Sequence, residues 1–179
     1  MHVRSFPPIE SARARVLILG TMPGKASLRA QQYYAHPQNA FWRIVGEIFR
    51  FDAQSAYATR SASLAASGVA LWDVLKSCTR EGSLDSDIES AAIVPNDFAA
   101  FFARHAKIRR VCFNGAKAEQ LYMRHVRPLI TDHPEIIHVR LPSTSPANAS
   151  VSLPEKMRAW RAVADGLAPS GNRNAGLVR

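Results

Sequence analysis

Within ten residues, Tyr33-Tyr34-Ala35-His36-Pro37-Gln38-Asn39-Ala40-Phe41-Trp42 collects two phenols, an imidazole and an amide ahead of an apolar aromatic pair. Aromatic faces exposed before a helix stack on planar rings with little sequence preference, or else cover a sheet edge. Asn39 both donates and accepts, so it can orient water or a ligand, or cap the helix that Phe41 and Trp42 open. His36 offers an imidazole that can serve acid–base chemistry, although a lone loop histidine also serves structure. Lys25 reads either as a Schiff-base nucleophile or, preferred, as a solvated or phosphate-contacting lysine. Upstream, Gly20-Thr21-Met22-Pro23-Gly24 is a tight turn whose glycines let a backbone approach a ligand closely. Neither GxxxxGK[ST] nor GxGxxG is present, so the turn is not a phosphate loop. Downstream, Asn114 in Phe113-Asn114-Gly115 offers a second amide, or an ordinary Asn-Gly turn. Leu141-Pro142-Ser143-Thr144-Ser145-Pro146-Ala147-Asn148 is a polar loop in which Ser143 and Ser145 can hold phosphate through hydroxyl and backbone N–H groups.

These segments need elements to hold them. Val16-Leu17-Ile18-Leu19, Val69-Ala70-Leu71-Trp72, Val111-Cys112-Phe113 and Ile136-Ile137-His138-Val139 are short apolar runs of the kind buried in a parallel sheet. The Gly20 turn, Asn114 and the Leu141 loop each follow one of them, where open α/β sheets bind ligands. Between the runs, Phe41, Trp42, Val45, Ile48 and Phe49 share a helical face, as do Phe98, Phe101 and Phe102. Leu121, Tyr122 and Val126 predict a helix after the third strand. Lys156, Met157, Trp160 and Val163 predict a final one, with Ser152 as N-cap and Glu155 three residues on. Alternating strands and helices imply an α/β domain with right-handed crossovers. We expect one domain over residues 1–168, a surface connection from Ser83 to Asp97, and a frayed tail over 169–179.

Charge points to a partner class. The chain carries 23 Lys and Arg against 14 Asp and Glu, a net +9. Residues 1–100 hold 10 basic and 9 acidic side chains, whereas residues 101–179 hold 13 and 5. So uneven a distribution suits a face that meets a polyanion, although a basic surface also serves solubility. Two cysteines, Cys78 and Cys112, cannot supply the four thiolates of an iron–sulfur cluster, and no Cys/His grouping suggests zinc. Reduced thiols and a cytoplasmic location are the economical reading. The N-terminus lacks a signal-peptide apolar region, and no run approaches membrane-spanning length.

Taken together, strand, GxxPG turn and the aromatic-Ala-His-Pro-x-Asn-x-Phe-Trp run resemble the mismatch-specific part of the uracil-DNA glycosylase superfamily. With Ser5-Phe6-Pro7-Pro8-Ile9 and Leu141 to Asn148 added, the chain most resembles the hypoxanthine-DNA glycosylase branch over residues 5–165. The resemblance implies a three-layer α/β/α sandwich on a four-stranded parallel sheet. It implies a monofunctional DNA glycosylase of base excision repair, preferring hypoxanthine (deoxyinosine), without metal or organic cofactor, acting as a monomer on single- or double-stranded DNA. It gives Asn39 the catalytic role, since Met22 stands where relatives carry a water-handling Asp or Asn. Tyr34 becomes the aromatic that stacks on the extruded base, Asn114 the reader of its edge, and Gly20 and Met22 the pocket floor. Pro142, Ser143, Thr144, Ser145 and Pro146, with Lys25, become DNA contacts. Leu141 replaces a histidine that in some relatives stabilises the departing base. A mismatch-specific uracil or thymine glycosylase, and a non-catalytic nucleic-acid-binding module, are the alternatives.

Overall fold

The computed structural model describes residues 2–79, 93–131 and 135–168. The expected tail and most of the Ser83–Asp97 connection lie outside them. The central sheet contains β2 (Val16–Gly20), β3 (Val69–Asp73), β6 (Arg110–Asn114) and β7 (Ile137–Leu141), in the order β3-β2-β6-β7. All pairings are parallel. Every residue of β2 and β3 is buried, which explains their unbroken apolar composition: both faces are covered by helices. β7 and β3 are the two edge strands; β7 is the more exposed, whereas β3 is covered along its free edge by the Ile9–Leu71 bridge.

Helix α2 (Phe41–Phe49) packs against both α3 (Tyr57–Ala66) and α6 (Leu153–Trp160), with Phe41 meeting Trp160 edge-on at 5.8 Å between ring centroids. The other aromatic layer joins α4 (Phe98–Arg104) to α5 (Ala116–His125) through Phe98 and Tyr122, 5.6 Å apart. Helices therefore flank the four-stranded sheet as a three-layer α/β/α sandwich. Ser152 and Glu155 close the expected capping box at the start of α6. The final helix is broken after Trp160 and resumes as α7 (Ala162–Asp165), which carries the buried Val163.

Periodicity did not predict α1 (Lys25–Ala30), α3, or a small antiparallel sheet of β1 (His2–Arg4), β4 (Leu75–Thr79) and β5 (Val94–Pro95). That sheet fixes the N-terminal segment. Val3 lies opposite Cys78, and Ser5 N–H donates to the Lys76 carbonyl.

Candidate active site

The chain runs from β2 to β3 on one side and then to β6 on the other, so the strand order reverses at β2. A crevice at such a switch point opens beyond the strands' C-terminal ends. Here it is a cavity of about 1030 Å³, and the last residue of each parallel strand lines it: Gly20, Asp73, Asn114 and Leu141. Met22, Lys25, Tyr34, His36, Asn39 and the loop from Pro142 to Asn148 complete the wall. All the site residues expected from the sequence thus meet in one place.

The two tyrosines separate. Tyr33 is buried, donates its hydroxyl to the carbonyls of Phe6 and Pro7, and packs edge-on against Phe6 at 5.3 Å. Burial first, and the Asp73 charge second, push its phenol well above the usual tyrosine range, so it stays neutral. Tyr34 faces the cavity and stacks on Phe41 at 4.1 Å, with 27° between the rings. Its backbone is left-handed, φ 53°, which is uncommon for a bulky side chain and occurs where surrounding structure overrides local preference.

Asn39 is half-buried in the cavity wall. Its Oδ1 accepts from Phe41 N–H at 3.0 Å, so from the position before the Ala40 N-cap the side chain satisfies the first N–H of α2. That bond fixes the amide's orientation without exhausting it, because a second lone pair and the amino hydrogens face elsewhere. Asn114 is buried and forms a reciprocal pair with Thr144. Its Nδ2 donates to Thr144 Oγ1 at 2.9 Å, and Thr144 N–H donates to its Oδ1 at 2.8 Å. Thr144 is fully buried, and its carbonyl also accepts from Ala40 N–H. It therefore clasps the loop to β6 and α2, and in this conformation offers no side-chain surface to DNA.

The loop is braced along its length. Trp160 Nε1 donates to the Pro142 carbonyl at 2.9 Å, Asn148 Nδ2 to the Ser143 carbonyl at 3.1 Å, and Lys156 Nζ to the Asn148 carbonyl at 2.8 Å. Desolvation lowers the Lys156 pKa. The exposed tip is Pro146-Ala147. Gly115 has φ 99°, and a Cβ there would lie 3.1 Å from that of Ser143, so only glycine permits the approach of β6 to this loop. An adjoining groove of about 670 Å³ shares Tyr34, His36 and Asn39 and adds Arg43 and Arg60. Lys25 is exposed at the first position of α1.

Sequence reasoning missed Asp73. It is 3% exposed, ends β3, and is the register partner of Gly20. Its Oδ2 accepts from Ser5 Oγ at 2.6 Å. The available signal was a carboxylate directly after an apolar strand, the same position logic that singled out Asn114. Among the described residues no group of three or more His, Cys, Asp or Glu could hold a metal ion, and no helix is long and apolar enough to cross a membrane. Burial pushes the Cys112 thiol up to about 12, which leaves it unreactive.

Comparison with known proteins agrees with this architecture. The uracil DNA glycosylase superfamily model matches residues 7–164. A hypoxanthine DNA glycosylase from Methanosarcina acetivorans is 38% identical over 164 residues, covering 91% of this chain and 98% of that protein. One from Methanosarcina barkeri is 40% identical over 119 residues, 66% of this chain and 74% of its own. A solution NMR structure from Methanosarcina acetivorans, described as a candidate uracil DNA glycosylase, superposes with a TM-score of 0.77 at 37% identity, covering 93% of this chain and 99% of that one.

Proposed function

The chain belongs to the uracil DNA glycosylase superfamily, and we propose that it removes hypoxanthine from DNA by hydrolysing the N-glycosidic bond of a flipped deoxyinosine. The single observation that favours an enzyme over a binding module is that Asn39 and Asn114 line the same cavity rather than a shallow open groove. A base in the duplex cannot reach such a cavity, so the nucleotide is extruded. The Pro146-Ala147 tip fills the gap in the stack, and the groove beside Arg43 and Arg60 follows the backbone. Tyr34, backed by Phe41, receives the face of the base. Asn114 keeps one amide hydrogen beyond its bond to Thr144 and donates it to the base edge.

In the reaction a water oxygen bonds to C1′, the C1′–N bond breaks with its electron pair going to the base, and the water's proton ends on the base or solvent. The transition state has oxocarbenium character. An amide has no useful basicity, so Asn39 orients the water and stabilises charge; it does not deprotonate. Leu141 supplies no proton to the departing base. The N-terminus of α5, whose first residue Ala116 lines the cavity, gives a positive dipole end instead. Preorganised dipoles of this kind carry much of the rate. Met22 cannot hold a water, so uracil is a poorer substrate in this reading.

The test is release of free base from duplexes carrying inosine, uracil, xanthine or a G·T mismatch, at saturating enzyme. Fastest release from inosine supports the proposal. Binding without release from any substrate would favour the non-catalytic module.

A further inference from the structure

We propose that the end of the molecule opposite the cavity binds a second segment of duplex DNA through its phosphates, so that the protein passes from one duplex to another without first becoming free. The surface is built from Arg13, Arg15, Arg104, Lys107, Arg109 and Arg110. All pairings in the central sheet are parallel and the cavity lies at the C-terminal ends of its strands, whereas these six side chains stand where strands begin. Arg13 and Arg15 precede β2, Arg110 opens β6, Lys107 and Arg109 lie just before it, and Arg104 closes α4, the helix that leads there. Only the DNA-binding part of the reading above is needed for this second site.

Backbone contacts bring the group together: Arg109 N–H donates to the Arg15 carbonyl at 3.0 Å. Three of the guanidinium groups are held by carbonyls. Arg15 donates to Leu167 at 3.2 Å, Arg110 to Ala162 at 2.6 Å, and Arg109 to Ala106 at 2.6 Å and Ile108 at 3.0 Å. Those bonds fix the cations without neutralising them, since a carbonyl carries no charge and a guanidinium has further N–H donors. Arg13, Arg104 and Lys107 are exposed. The carboxylates on neighbouring connections offset little of this charge. Glu10 is engaged by the His105 ring at 2.6 Å, and Glu135 meets Arg109 at 3.7 Å with both side chains about half exposed, a surface pair of small strength. Asp165 in α7 is exposed.

Charge at this end does not serve the cavity. Strands β2 and β6 each have five residues. At about 3.3 Å per residue, the strand starts lie roughly 13 Å from the strand ends that line the cavity. That exceeds the Debye length, about 8 Å at physiological ionic strength, so salt screens one end from the other. A duplex seated at the cavity therefore leaves this surface open to another. Arginine dominates it, and the guanidinium fork matches phosphate oxygens. The ligand is double-stranded. Among the described residues the exposed large hydrophobic side chains are Val94, Met123, Leu129 and Ile137, none of them aromatic. No exposed ring is offered for the bases of a single strand to stack on, whereas a duplex presents phosphates that need none. The same lack of an exposed aromatic anchor favours DNA over a protein partner.

The experiment follows dissociation of the full chain from a short, labelled, undamaged duplex as unlabelled duplex is raised, by stopped flow. A protein with one DNA site leaves at a rate set by the first duplex alone. A protein that holds two is handed over directly, and its rate rises with competitor concentration. We expect that rise in the parent and its loss in a variant carrying Arg13→Glu, Arg104→Glu and Lys107→Glu, all exposed and outside the cavity wall. The three changes to Gln instead, which add no negative charge, should reduce the rise, and they supply the answer should the charge-reversed protein fail to fold. Single-turnover release of hypoxanthine at saturating enzyme should be equal in all three proteins; slower release in the folded variants would place these side chains in the primary interface and overturn the separation. Dissociation of the parent independent of competitor would overturn the proposal. So would a parental rise in the variants, because exchange would then occur at the cavity face. Transfer to anionic vesicles of phosphatidylglycerol, or to polyglutamate, but not to duplex would overturn it in favour of a membrane or an acidic protein. A parent that excises deoxyinosine without transfer removes this inference alone, whereas one that transfers between duplexes without excising removes only the glycosylase reading.

Discussion

Asn39→Ala should slow base release by about 10²–10³-fold, the effect of withdrawing one preorganised polar group from a transition state. The same substitution removes a bond that matters to folding, because Asn39 Oδ1 accepts from Phe41 N–H at 3.0 Å. A lost cap of this kind costs about 1 kcal/mol, within a range of roughly 0.5–2. Against a typical stability of about 5–15 kcal/mol, the variant stays folded at assay temperature. Stability and rate therefore report on different roles of one side chain. Asn39→Ser separates them further. Serine caps about as well as asparagine, so thermal stability should return to within a few tenths of a kcal/mol. The amide is still absent, so the rate should stay low. Single-turnover excision of deoxyinosine at saturating enzyme, thermal unfolding and DNA affinity should be measured on each protein. Affinity should change little, since Asn39 carries no charge and the basic side chains that meet the backbone stay in place. Parent-like rates in the alanine variant would refute the catalytic assignment. So would recovery of rate together with stability in the serine variant, which would leave Asn39 a cap alone.

Tyr34→Ala should weaken capture of the flipped base by about 1–3 kcal/mol, read from the fluorescence of a base analogue at the target site. Tyr33→Ala should instead lower thermal stability, because Tyr33 is buried and bonds the Phe6 and Pro7 carbonyls; equal effects of the two on base capture would contradict the division of roles. Met22→Asn should raise uracil release by supplying an amide that can hold water. Met22 is itself buried, so an unsatisfied amide there costs about 1–3 kcal/mol, and stability must be measured on the same protein. A stable variant with no gain would move the limit on uracil to Asn114 or the Leu141–Ser143 segment. DNA affinity should fall steeply with salt, as log affinity against log salt, and a flat line would remove DNA as the main ligand.

The sheet was legible because β2, β3 and β6 are buried on both faces, a condition that leaves continuous apolar runs. Helix α2 was legible for the complementary reason, one apolar face at helical spacing. The short antiparallel sheet was not. β1 and β5 have three and two residues, too few to show a period, and their pairing depends on contacts distant in sequence. Helix α1 escaped for the same reason, with six residues and Ser27 as its buried position. Within the site, residue type was readable but occupation was not. Asn39 and Asn114 each had a structural and a chemical reading, and both turn out to make the structural bonds: one to Phe41, the other to Thr144. Asp73 was missed because attention to local motifs passes over a lone carboxylate. Its partner Ser5 lies 68 residues away and meets it only through the small sheet.

Those structural bonds bear on the chemistry rather than compete with it. Met22 and Leu141, both apolar, line this cavity, so no acid or base is available at those positions. On the proposed reading, neutral dipoles act in their place, and a neutral dipole is useful only when its direction is set before the substrate arrives. The Phe41 bond sets Asn39, and the Thr144 pair sets Asn114. Thr144 also bonds Ala40 through its carbonyl, so the loop, the start of α2 and the end of β6 are joined through one buried residue. On the proposed reading, the amide assigned to the water and the amide assigned to the base are consequently held in a common frame. A caps-only view of Asn39 and a turn-only view of Asn114 describe the same hydrogen bonds, but leave unexplained why both amides border the one cavity in which Tyr34 adopts a left-handed backbone.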